Sequence, residues 1–346
     1  MKVRIVCYED VNAWILGKFA LKMEENLTEL GIDVDIAKEA DPTADINHHI
    51  IYANYNGLKS SNDVLMITHI DDYKKLVKIK KQLDIASIGI CMSRDTMNKL
   101  VELGVPSFKL TFINPAHDGV IKKKKITIGI TCRVQEDGRK REIFVTKLAN
   151  DIDPELFRFK IMGENWQNQV DCLIANGFEV EYTPAFDYQQ YTELIPALDY
   201  YLYFGQDEGQ MGFIDALYAG VKTIVTPQGY HLDAPNGIVH PYESYQDLLS
   251  VFEEITKKIK ILTDSIKTWN WLDYSKKHLM VWELILKLNN GEIDQDDYEK
   301  KLIALTPLEN VKMNNINRFN KKVEEKKLKK EYIRHLFYKI KNKIYE

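Results

Sequence analysis

Cysteine is scarce in this 346-residue chain, and its four copies, Cys7, Cys91, Cys132 and Cys172, lie far apart with no C-x-x-C pair. That spacing excludes a disulfide-stapled scaffold and a cysteine-based zinc site, and it reads as buried thiols. Long apolar runs are missing too. No stretch approaches the ~20 residues that a membrane span needs, and the apolar run in M-K-V-R-I-V-C-Y-E-D is too short for a signal peptide. The expected location is cytoplasmic. The first strand is followed by Tyr8-Glu9-Asp10-Val11-Asn12 rather than G-x-G-x-x-G, which excludes a dinucleotide-binding first turn. No aromatic-rich RNA-binding motif accompanies the basic segments, so no nucleic-acid partner is expected.

Metal ligands are equally thin. His48 and His49 are neighbours, and adjacent strand residues point to opposite faces, so they do not ligate one ion. Asp151-Ile152-Asp153 stands before Pro154 in a polar linker and reads as a turn and helix cap. No metal and no cofactor are expected.

What is present is enough apolar residue, 45% of the chain, to fill two cores, and a length that predicts two domains of ~150 residues each. Charge is uneven. From residue 312 onward there are twelve Lys or Arg against four Glu, a net +8, which leaves about −12 for residues 1–311.

The stretch 200–227, Y-Y-L-Y-F-G-Q-D-E-G-Q-M-G-F-I-D-A-L-Y-A-G-V-K-T-I-V-T-P, carries the most information. Residues 200–204 suit a buried parallel strand that breaks at Gly205 into an acidic, glycine-bearing loop. Phe213, Ala216, Leu217 and Gly220 recur at spacings of three and four, so a helix follows, closed by Gly220, and 221–225 is the next strand. In an open α/β sheet, ligands sit beyond the carboxyl ends of the strands, and free N–H groups at a helix N-terminus attract anions. Asp207 or Glu208, Gly209, Gln210, Met211, Gly212 and Asp215 stand at such a place.

The rest of the chain repeats strand, helix, strand. Strands are expected at 2–8, 32–36, 64–70, 85–92, 126–131, 157–162 and 179–182. Helices are expected at 12–30, from the Ser93 cap to Gly104, and at 166–175, 188–194 and 248–262. The order predicts an α/β fold with doubly wound parallel sheets. Trp14 reads as a core tryptophan, with a place beside a sugar as the other option. Thr68-His69 with Asp71-Asp72, just past a strand end, makes a polar cluster of the kind that forms sites in this architecture.

D-E-G-Q-M-G-F-I-D-A-L-Y-A-G-V resembles the acidic loop-helix motif of retaining GT-B glycosyltransferases, an acid, seven residues, a second acid, then A-x-A-x-G. Residues 90–118 resemble the end of the first domain in glycosyltransferase family 4. Residues 127–141 resemble the first strand and basic loop of its nucleotide-binding domain. W-N-W-L-D-Y from Trp269 resembles the late helices that cross back to the first domain. The resemblance implies two Rossmann-like domains facing a cleft: an acceptor-side domain at 1–118, a nucleotide-sugar domain at 122–265, crossing helices at 266–310 and a basic tail at 311–346.

It implies a transferase moving a sugar from a nucleotide-diphosphate donor to a hydroxyl of a glycan or lipid-linked glycan, with retention and without metal. Arg133 and Arg139 or Lys140 would hold the diphosphate, where fixed cations meet the charge on the leaving group. Asp215 would hold the ribose, and Asp207 or Glu208 with the amides of 209–212 the donor sugar. His69 would touch a sugar from the first domain. The donor phosphate would itself take the acceptor's proton. Asp207 keeps the spacing of eight to Asp215, whereas Glu208 keeps the Glu-Gly dipeptide. Two other functions share these features: a non-catalytic binding subunit derived from such an enzyme, and a sugar-nucleotide epimerase, which would be expected to carry several carboxylates and histidines.

In the tail, Leu328, Tyr332, Leu336 and Ile340 fall four apart, with Ile333, Phe337 and Ile344 beside them. This is a basic amphipathic helix of the type that lies on an anionic membrane surface, which would make the protein peripheral on the inner face of a membrane.

Overall fold

Short buried apolar runs become parallel strands in both halves of the chain. The structure, a computed structural model, describes residues 1–57, 62–305 and 315–344. The chain divides into two units, Met1–Gly119 with Thr268–Glu346, and Val120–Lys267. The expected boundary between crossing helices and tail, at 310, lies outside the described residues.

The first unit opens with β1 (Lys2–Val6), α1 (Ile15–Glu29), β2 (Asp33–Ala37), β3 (Ile46–His49) and β4 (Asp63–Ile67). It continues through α2 (Tyr73–Leu83), β5 (Ile88–Cys91), α3 (Arg94–Glu102) and β6 (Leu110–Phe112). Its six strands are all parallel, in the order β2-β1-β3-β4-β5-β6. All five residues of β4 are buried because both of its faces are covered. Val64 and Met66 join the core that includes Phe19, Met23 and Leu27 of α1, whereas Leu65 and Ile67 join Leu76, Ile79 and Leu83 of α2.

The second unit runs β7 (Ile126–Ile130), α4 (Ile143–Asp151), β8 (Phe157–Met162), α5 (Gln167–Ala175), β9 (Glu179–Thr183) and α6 (Tyr188–Leu194). Then come β10 (Tyr200–Tyr203), α7 (Met211–Tyr218), β11 (Lys222–Val225), β12 (His240–Pro241) and α8 (Tyr245–Asp264). Its order is β12-β11-β10-β7-β8-β9, again parallel throughout. Three helices complete the first unit: α9 (Trp271–Asn289), α10 (Gln295–Leu305) and α11 (Asn315–Ile344). Tyr274, Val281, Trp282 and Ile285 of α9 pack into the core that holds β1 and α1. The fold is therefore two Rossmann-like, doubly wound parallel sheets with C-terminal helices.

Trp14 departs from its expected place in a core. It is 53% exposed. It sits at the N-cap of α1 with extended backbone, so its side chain falls outside the stripe of Phe19, Met23 and Leu27 that the helix buries.

Candidate active site

In the second unit the chain runs from β7 through β8 to β9 on one side, then crosses over to place β10 on the other side of β7. The switch point lies between β7 and β10, where the crevice beyond the strand ends receives ligands in open sheets. A cavity of about 450 Å³ opens there. Its walls include Thr131, Cys132 and Arg133 after β7, and Gly163 and Glu164 after β8. Phe186, Tyr188 and Tyr191 come from around the start of α6, and Gln210, Met211, Gly212 and Asp215 from α7 and its N-cap.

The floor is built by close packing of α7 on the strand ends. A Cβ on Gly212 would lie 2.4 Å from Thr131 Oγ1 and 2.5 Å from the Tyr201 hydroxyl, so only glycine lets the helix start there. Gln210 Nε2 donates to the Thr131 carbonyl at 2.7 Å, which fixes the N-cap. The loop before it needs Gly209, whose φ of +120° lies in the region closed to other residues. Two amides of this loop are already taken: Gly209 N–H donates to Asp207 Oδ1 at 3.2 Å, and Gln210 N–H to His231 Nε2 at 3.1 Å. Those of Met211 and Gly212 have no partner among the described residues, and they are the open donors at the positive end of the helix.

Asp215 accepts a hydrogen bond from the Tyr191 hydroxyl through Oδ2. Burial raises the Tyr191 phenol well above its usual value, and Asp215 adds to the effect, so this hydroxyl stays a donor. Oδ1 of Asp215 has no partner among the described residues. Phe186 and Tyr188 are 66% and 72% exposed although they line the cavity, which leaves flat aromatic faces to be covered. Arg133 is exposed beside Glu164, with Nη1 to Oε2 at 3.4 Å.

Lys140 and Asp207 stand apart from the cavity walls and hold each other. Lys140 Nζ is 2.7 Å from Asp207 Oδ2 and donates to the Tyr203 hydroxyl at 2.5 Å, which in turn donates to Asp207 at 2.7 Å. Burial pushes the Asp207 carboxyl up, but hydrogen bonds from Lys140, Tyr203 and Gly209 outweigh it and hold it below the usual carboxylate range. With these donors on its two oxygens, Asp207 has little capacity left for sugar hydroxyls. Glu208 is exposed. Arg139 is exposed too, and pairs with Asp137 at 3.3 Å. The expected donor residues thus divide: Arg133, Gln210, Met211, Gly212 and Asp215 share one cavity, while Arg139, Lys140, Asp207, Glu208 and Gly209 do not line it.

Several residues of this region had no assigned role in the sequence. His231, fully buried after β11, accepts from Gln210 N–H through Nε2, so its proton is on Nδ1, 3.2 Å from the Thr226 carbonyl. Arg141, with a positive φ of 46°, donates to the carbonyls of Phe204 and Glu243, each at 2.7 Å, and ties the loop after β10 from below. A charged side chain directly after the basic pair Arg139-Lys140 was the available signal.

In the first unit the switch point falls between β1 and β3. Tyr8, past the end of β1, and His49, the last residue of β3, meet there, with the Tyr8 hydroxyl 2.9 Å from His49 Nδ1. His49 Nε2 is 3.2 Å from Asp63 Oδ1, and the Tyr55 hydroxyl donates to Asp63 Oδ2 at 2.9 Å. His48, as alternation requires, faces the other way, with its ring 5.0 Å from His278 of α9. His69 is exposed past β4, with Nδ1 2.9 Å from Thr68 Oγ1 and Nε2 3.1 Å from Lys75 Nζ. Among the described residues there is no group of three or more His, Cys, Asp or Glu placed to hold a metal ion.

No protein-family model matches the chain, and no curated protein matches it in sequence. Solved structures resemble it in fold. A glycosyltransferase from Rickettsia africae matches with a TM-score of 0.34 and 13% identity, over 83% of this chain and 99% of that one. HepE from Anabaena, in complex with UDP and glucose, matches with a TM-score of 0.30 and 10% identity, over 81% and 98%. TarM from S. aureus matches with a TM-score of 0.31 and 12% identity, over 83% of this chain and 58% of that one.

Proposed function

We propose that this chain is a glycosyltransferase of the GT-B, family-4 type that moves a sugar from a nucleoside-diphosphate donor to a hydroxyl of a glycan or lipid-linked glycan. The observation that carries the reading is the cavity at the switch point of the second unit. There an acid with a free oxygen, an exposed guanidinium, two open helix-terminal amides and two uncovered aromatic faces surround about 450 Å³.

Each group matches one part of such a donor. Phe186 and Tyr188 take the base by stacking, and Asp215, aimed by Tyr191, accepts from the ribose hydroxyls. Arg133 and the amides of Met211 and Gly212 meet the diphosphate. As the sugar leaves, charge grows on the terminal phosphate, and preorganised donors stabilise it most at that moment. The donor phosphate takes the acceptor's proton, the sugar keeps its anomeric configuration, and no metal is needed. Asp207 acts as a positioning residue that fixes Lys140 and the Gly209 amide, and Glu208 is the acid assigned to the donor sugar.

One observation favours a second reading. Lys140 and Asp207, a cation and an acid assigned to the donor by resemblance, neutralise each other, as suits a subunit that binds a nucleotide sugar without turning it over.

A thermal-shift panel of UDP, GDP, TDP and CMP sugars against the wild type and Asp215→Ala tests both, because a ligand that binds the folded state raises its apparent stability. A shift with one nucleotide class that disappears in Asp215→Ala supports the donor site. Release of nucleoside diphosphate over time then separates a transferase from a binding subunit. No shift with any donor sinks the assignment.

A further inference from the structure

From the placement of α11 on the first unit we infer that this helix docks the protein on an anionic lipid surface, with the turns around Phe337 seated among the headgroups. One face of α11 is already occupied. Glu331 Oε2 accepts from the Tyr73 amide at 3.1 Å, and the Tyr73 ring lies 5.3 Å from the rings of both Tyr332 and His335. Leu328 lines the same groove against Leu76 of α2. These contacts hold the helix to the protein along the side that carries 328, 331, 332 and 335.

The opposite side carries Ile333, Phe337 and Ile340, spaced four and three apart, with exposures of 52%, 69% and 53%. Lys326, Lys329, Lys330 and Arg334 surround that stripe and are exposed. The outward face is thus basic between 326 and 334 and apolar at 333, 337 and 340. Over seven residues the stripe is ~10 Å long, which suits a helix lying in the interface. No helix among the described residues is long and apolar enough to cross a membrane.

Charge selects the occupant. A second copy would bring the same basic helix against this one, and like charges would oppose the contact. Anionic headgroups meet the lysines and Arg334, while the stripe enters the boundary of headgroup and acyl chain.

Full-length protein is sedimented with vesicles of phosphatidylcholine alone and of phosphatidylcholine mixed with phosphatidylglycerol. The expected result is binding to the mixed vesicles only, weakened by added salt. The triple variant Ile333→Ser, Phe337→Ser, Ile340→Ser should bind at least tenfold more weakly, and Lys326→Glu with Lys330→Glu several-fold more weakly. These side chains are exposed, so the melting temperature should not move, and an unchanged melt certifies that the variants are folded. The proposal is overturned by wild-type protein that stays in the supernatant with anionic vesicles, or by the triple variant binding as the wild type does. Equilibrium sedimentation showing a dimer that the triple variant abolishes would also overturn it, by assigning the stripe to a second copy. None of these readouts depends on donor binding.

Discussion

Replacing Lys140 with methionine separates two roles for this residue. Methionine keeps the apolar stem and removes the ammonium that lies 2.7 Å from Asp207 and 2.5 Å from Tyr203. The side chains are 9% and 18% exposed, so the pair is largely withdrawn from water. Breaking a buried pair from one side costs about 3–5 kcal/mol, because the remaining charge loses its partner. Asp207 keeps the Tyr203 hydroxyl and the Gly209 amide, which places the expected loss near the lower end, about 3 kcal/mol. For a unit of this size that corresponds to a fall in melting temperature of about 6–12 °C.

The sign with pH follows from the depressed carboxyl of Asp207. Its contribution is present above the ordinary aspartate range and is lost as pH falls through the lowered value, so the deficit should be constant between pH 6 and 8. Asp207→Asn alone should cost a similar amount. The double variant should cost less than the sum of the singles, with a coupling of about 2 kcal/mol by urea denaturation. If Lys140→Met melts within 1 °C of the wild type yet loses nucleotide binding, the ammonium is a ligand contact and the pairing argument is refuted.

Three further outcomes are expected. Arg133→Ala should weaken nucleoside diphosphates in calorimetric titration by tenfold or more and leave the unphosphorylated nucleoside within about twofold; equal losses for both would remove the diphosphate from this residue. Asp63→Ala strands His49 Nε2 and the Tyr55 hydroxyl in the core, so it should cost about 3 kcal/mol in urea denaturation, and a cost below 1 kcal/mol would mean that the network is not bonded as described. Burial lowers His278 to about 4 and holds His48 below its ordinary value as well. The unfolded chain therefore binds more protons in this range, and stability should be full above pH 6.5 and fall toward pH 4. His278 alone accounts for about 3 kcal/mol of that loss. His278→Leu, which takes up no proton, should flatten the curve, and an unchanged slope would contradict the assignment.

The strand, loop, helix and strand between 200 and 225 were legible because their signals are local. A run of aromatics fills one buried strand, and Gly220, at a φ of +73°, ends the helix it was expected to end. The same holds for Ser93, which caps α3 by accepting from the Thr96 amide. Pairings across the sheet were not legible. Lys140 meets Tyr203 only because crossover places β10 beside β7, and the two are 63 residues apart in the chain. Tyr191 of α6 likewise meets Asp215 of α7, 24 residues on in the chain with β10 intervening. The role of His49 at the end of β3 was hidden because its partners, Tyr8 and Asp63, lie 41 and 14 residues away in the chain.

The choice between the basic residues after β7 rests on what each would give up to bind an anion. Lys140 would have to leave a carboxylate and a phenol in a nearly dry site, and several kcal/mol stand against it. Arg139 is exposed and pairs with its neighbour Asp137, away from the cavity walls. Arg133 shares its guanidinium with Glu164 at 3.4 Å, with both side chains more than half exposed. Such a pair contributes at most about 1 kcal/mol, and a diphosphate carries more charge than a single carboxylate and accepts in the same forked geometry. The exchange of Glu164 for phosphate oxygens is therefore favourable at Arg133 where the exchange of Asp207 at Lys140 is not. Of the three cations only Arg133 lines the cavity, and its exposed pair with Glu164 is cheaper to exchange than the buried pair of Lys140, which is why the proposed diphosphate contact is tested at Arg133.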